Sequence, residues 1–139
     1  MAYAIGITLA LAIAVWATLV GLDRDRAFYP TVLVVVASYY VLFAVIGGAV
    51  FPLLVECAVM TGFVTVASIG FRRNLWFVAA ALAGHGLFDA AHGFLIDNPG
   101  LPVWWPAFCL GYDVTAAGAM IWVLKHQIAS TNELWQRGT

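Results

Sequence analysis

The sequence is short of charge. Asp, Glu, Lys and Arg make up only 9% of its 139 residues, where soluble domains carry about 25%, so an ordinary water-soluble fold is excluded. Six basic residues stand against seven acidic ones. With no basic patch to meet phosphates, nucleic acid is not an expected partner. Lysine occurs once, as Lys125 after the last apolar run, which argues against a Schiff-base chromophore deep inside. The two cysteines, Cys57 and Cys109, both fall within apolar runs. A disulfide scaffold is therefore not expected; Cys57 reads as a small packing residue, and Cys109 as a buried thiol or soft ligand. No HExxH, CxxC, glycine-rich phosphate loop or nucleophile elbow is present. Nor does Met1 to Gly6 hold the basic n-region of a cleaved signal, so the first apolar run is expected to be a retained membrane helix.

What the chain has instead is hydrocarbon: 64% of its residues are hydrophobic and its mean hydropathy is +0.97. Five apolar runs cover about 2–20, 30–47, 50–71, 75–96 and 103–124, each near the roughly 20 residues that cross a bilayer as a helix. The expected fold is all-α, a polytopic membrane protein built as one bundle of five transmembrane helices, with a polar tail over 125–139. No internal repeat interrupts it. Pro30 and Pro52 suit first helical turns, where a missing N–H is harmless. Asp97-Asn98-Pro99-Gly100-Leu101-Pro102 is a strong turn signal. Phe28-Tyr29 and Trp104-Trp105 read as interfacial aromatic belts.

Charge sets the expected orientation. Arg24 and Arg26 follow the first run, Arg72 and Arg73 the third, and Lys125 and Arg137 the fifth, which accounts for all six basic residues. With five crossings they share one side, and the positive-inside rule makes it cytoplasmic. The N-terminus is then outside and the C-terminus inside, and the expected location is a bacterial cytoplasmic (inner) membrane.

The fourth run carries Gly84-His85-Gly86-Leu87-Phe88-Asp89-Ala90-Ala91-His92-Gly93. His85, Asp89 and His92, at i, i+4 and i+7, share one helical stripe. Ionisable groups at membrane depth cost about 2.5–3.5 kcal/mol each on insertion scales and are rarely placed there without a use. The expected topology puts His85 and Asp113 near the midplane, with Asp89, Glu56 and Cys109 about 6 Å and His92 about 10 Å toward the outside. All five acidic and histidine groups are expected to point into one shared cavity.

His85, Asp89, His92, Glu56 and Asp113 are therefore the candidate ligands of a divalent transition metal, zinc or iron by donor type. His85 and His92 lie about 10.5 Å apart along the axis, too far for one ion to take both easily, so Glu56 or Asp113 must complete a site. Two ions bridged by Asp89 are an alternative. Glu56 and Asp113 are the candidate catalytic bases, acting beside a metal that activates water or oxygen.

The run from His85 to Asp113, H-G-x-x-D-x-x-H followed by W-P-x-F-C-x-x-x-D, resembles a family of small uncharacterised bacterial integral membrane proteins. The likeness covers residues 84–113. It implies only that His85, Asp89, His92 and Asp113 form the family's motif.

Three functions stay open. The first is a metal-dependent membrane protein whose site opens toward the outer leaflet, as an enzyme on a lipid-like or apolar small molecule. The second is a proton or small-solute relay through Glu56, Asp89, His85 and Asp113. The third is a structural subunit, with the bilayer and either further copies or a larger complex as partners. Against all three stands plain packing, in which an Asp89–His85 or Asp113–His92 hydrogen bond does no more than join helices.

Overall fold

The computed structural model describes the backbone of residues 1–137 and the side chains of residues 1–126. Five helices follow one another: α1 (Ala2–Val20), α2 (Phe28–Gly47), α3 (Val50–Arg72), α4 (Trp76–Leu95) and α5 (Trp105–Arg137), with a short 3₁₀ turn at Leu22–Arg24. Four of them, α1, α2, α3 and α5, are long and apolar enough to cross a bilayer. Large apolar side chains turn outward from the bundle, among them Ile46, Phe51, Leu87 and Phe94. An outward hydrocarbon face is stable only where the solvent is itself apolar. These features mark an all-α membrane protein.

Helix ends follow local chemistry. α2 begins two residues before the expected start, so Pro30 is its third residue, still among the first four positions whose N–H has no intrahelical partner. The fifth helix overruns its expected end at Leu124 and continues to Arg137. The reason is that polarity does not stop a helix; glycine and proline do, and none follows Lys125 before Gly138.

The helices pack in the order α1, α5, α4, α3, α2, with α2 also touching α4. α1 rests on α5, where a Cβ on Gly6 would lie 2.1 Å from the carbonyl oxygen of Phe108. Only glycine permits that approach. At the end of the bundle that carries the arginines, the Arg26 guanidinium donates to the carbonyls of Phe71 and Gly70, tying the α1–α2 loop to the last turn of α3.

The packed helices turn their buried seams inward. On α4 the seam runs Val78, Leu82, His85, Asp89, His92, in steps of four, three, four and three. That spacing keeps one stripe facing its neighbours. On α2 the buried positions are Tyr29, Leu33, Val36, Ala37, Tyr40 and Ala44. The core thereby divides lengthwise. Toward the arginine end it is hydrocarbon, built on Leu33, Val78, Leu82, Ala117 and Met120. Toward the other end the same seams carry the ionisable groups.

Candidate metal centre and its hydrogen-bond network

All five expected site residues are buried: Glu56, His85, Asp89, His92 and Asp113 are each at most 1% exposed. They form one contiguous polar region but two separate groups, rather than a single ring around a void. Four cavities among the described residues are lined by other side chains.

The first group joins α4 to α5. His85 Nδ1 lies 2.6 Å from Asp113 Oδ2 and 3.5 Å from Asp89 Oδ2. Without a metal, the ionised carboxylate can only accept, so Nδ1 carries the proton of His85; a metal bound there would take the place of that proton. One ligand atom from each of His85, Asp89 and Asp113 falls within 4.8 Å of the other two. Two donors each about 2.1 Å from one zinc-sized ion are at most about 4.2 Å apart, so a shift of about half an ångström brings all three into range. Asp89 Oδ2 and Asp113 Oδ1 have no hydrogen-bond partner among the described residues.

The second group joins α3, α4 and the loop before α5. His92 Nε2 lies 2.7 Å from Glu56 Oε1. The Asn98 amide donates to the same Glu56 oxygen and to the backbone carbonyl of Tyr40, both at 3.1 Å. Gly100 seats this loop on α2: a Cβ there would lie 2.0 Å from the Phe43 carbonyl oxygen. Any other residue would lift Asn98 away from its partners. Among the described residues, Glu56 Oε2 and His92 Nδ1 are left unpartnered.

Tyr40 connects the groups. Its hydroxyl donates to Asp89 Oδ1 at 2.6 Å, and its ring stacks on His92 with centroids 4.2 Å apart and planes 19° from parallel. Phe63 and Phe88 meet the imidazoles edge-on, Phe63 at His85 and Phe88 at His92. These rings pack directly against the buried imidazoles.

The pairing differs from the sequence expectation in one respect. Asp113 meets His85, and His92 takes Glu56 from α3, so the expected Asp113–His92 bond is not formed. The cause is axial level: His92 sits seven residues beyond His85, and Glu56 near the start of α3 is the carboxylate at that height. Tyr40 and Asn98 were not among the expected site residues. Tyr40 offered a signal, a phenol at mid-depth of an apolar helix that needs an acceptor. Asn98 was legible only as a turn residue.

Three side chains outside the centre also depart from expectation. Cys57 is exposed on the outer face of α3 rather than packed, while Cys109 is buried but outside the three-residue group. Trp105, expected in an interfacial belt with Trp104, packs against Tyr39 and Phe43 with centroids 5.1 and 4.9 Å away.

The fold and the site together define a membrane protein with a buried His/Asp centre that could hold a metal ion. Comparison with family models, with curated proteins and with solved structures finds no match to this chain.

Proposed function

We propose that the chain crosses the bilayer five times, N-terminus outside and C-terminus inside, and holds one divalent transition metal, zinc or iron, between His85, Asp89 and Asp113. The observation that carries the metal is the pair of unpartnered carboxylate oxygens, Asp89 Oδ2 and Asp113 Oδ1, buried beside His85. Three carboxylates face two imidazoles in this half of the core. Even with both imidazoles protonated, one negative charge is left over, and a lone buried charge is expensive enough to demand a partner. A cation between Asp89 and Asp113 supplies it.

Connectivity supports the fifth crossing. α4 is missing from the helices that are apolar enough by composition, since its seam carries His85, Asp89 and His92. Yet it links the end of α3 to the start of α5, so if those two cross in one direction, α4 crosses in the other. Its 20 residues span about 30 Å. The basic residues at one end set the orientation. With Asp113 taken as a ligand, Glu56 is the remaining carboxylate of the polar region, but it sits in the other group with His92 and Asn98, so the role proposed for the centre is metal binding rather than a base-catalysed step.

Elemental analysis of protein purified without added metal tests the centre. We expect a bound transition metal in the wild type and its loss in Asp113→Asn, with helix content unchanged. A metal-free wild type, after growth in metal-replete medium, would remove the proposal. For topology, Val103→Cys in a Cys57→Ser background should react with an impermeant maleimide from outside. Labelling only after lysis would reverse the orientation.

A second reading, a proton relay, is favoured by Tyr40, whose hydroxyl and ring contact Asp89 in one group and His92 in the other. Proton flux in proteoliposomes that is abolished by Tyr40→Phe would support it, and flux that survives Glu56→Gln would count against it.

A further inference from the structure

A separate cavity lies away from the His/Asp centre. It is a cleft of about 680 Å³ between α1 and α2, floored by α5. α1 leans on α5 and has no packed interface with α2, so the cleft faces the surrounding hydrocarbon. Its volume is within the roughly 300–1,000 Å³ of small-molecule sites.

Its lining restricts the occupant. Among the described residues, Asp25, at the loop end, is the only charged residue in the wall, and no basic side chain joins it. An anionic head group would find no counter-charge there. Two half-buried phenols, Tyr39 from α2 and Tyr112 from α5, line the cleft, and neither hydroxyl makes a hydrogen bond among the described residues. A phenol left unpaired in hydrocarbon is costly, and it can donate to an acceptor oxygen. Phe28, Trp105 and Phe108 add three more rings to the wall. Aromatic walls favour a flat ring that can stack or meet them edge-on.

We propose that this cleft binds a neutral molecule dissolved in the bilayer, made of a planar carbonyl-bearing ring on a hydrocarbon tail: a quinone-type ligand. Tyr39 and Tyr112 donate to its carbonyl oxygens, the aromatic wall holds its ring, and the open side toward lipid admits the tail. None of the proposed metal ligands lines the cleft, so binding is measured on the protein as purified.

The test uses a decyl-substituted benzoquinone and purified protein in nanodiscs, with empty nanodiscs as the blank. Saturable binding is expected, and Tyr39→Phe and Tyr112→Phe should each weaken it about three- to tenfold, the size of one neutral hydrogen bond. Val35→Trp, which fills the cleft from α2, should abolish it while helix content is retained. Decylbenzene, with the same tail and no carbonyl, should bind more weakly than the quinone, and oleate should not displace it. Absence of saturable binding would overturn the proposal. So would equal binding of decylbenzene, displacement by oleate, or unchanged affinity in both Phe variants.

Discussion

One core, built from one set of helix seams, runs on two kinds of force. At the arginine end Leu33, Val78, Leu82 and Met120 are at most 1% exposed, and at the other end Tyr40, Glu56, His85, Asp89, His92 and Asp113 are equally shut off. The first group is held by close packing, which is non-directional and tolerates exchange among side chains of similar volume. The second is held by short directional contacts whose partners are individually specified. Within a bilayer the apolar half gains little from leaving hydrocarbon for hydrocarbon, whereas each polar group gains by finding its partner. The difference teaches where function can reside. The apolar half can be rebuilt from many sequences, while the polar half has leftover bonding capacity that packing does not explain.

Exchanging the character of the two halves should give the largest effect. Leu82→Asp places a carboxylate in the hydrocarbon half with no partner, at about 2.5–3.5 kcal/mol. We expect it to abolish the folded bundle, read as lost yield and lost resistance to denaturation in detergent. Next comes Tyr40→Phe, which removes the hydroxyl from Asp89 and leaves Oδ1 bare, for about 1–3 kcal/mol. A double-mutant cycle of Tyr40→Phe with Asp89→Asn should show coupling of about 0.5–3 kcal/mol. Additive losses would mean that the two groups do not depend on this link. Asn98→Ala should be milder than Tyr40→Phe, about 1 kcal/mol, because the loop can admit a substitute donor. Smallest is Cys57→Ser on the exposed face of α3, expected within about 0.5 kcal/mol.

The same comparison separates what could be read from sequence. Apolar run lengths locate helices because a bilayer fixes how long an apolar helix must be, and the starts of α1 and α3 follow directly. The stripe of His85, Asp89 and His92 is legible because helical periodicity alone puts them on one face. Partner choice is not legible. Whether Asp113 meets His85 or His92 depends on the axial offset between α4 and α5, which local pattern does not encode. Asn98 was hidden for a related reason: its role comes from Gly100 seating the loop on α2, a long-range contact. Cys57 was misplaced because an apolar stretch on α3 looks alike on its lipid-facing and inward-facing sides. The end of α5 was missed because the edge of hydrocarbon was taken for the edge of the helix.

The central claim is that His85, Asp89 and Asp113 share one ion while His92 and Glu56 stand apart from it. X-ray absorption at the metal edge of zinc-loaded protein tests this most directly. The account predicts a shell of nitrogen and oxygen donors only, at about 2.0–2.2 Å, retained in His92→Gln and lost in Asp113→Asn. A sulfur shell at about 2.3 Å, which would bring in Cys109, or equal loss of the signal in His92→Gln, would contradict it.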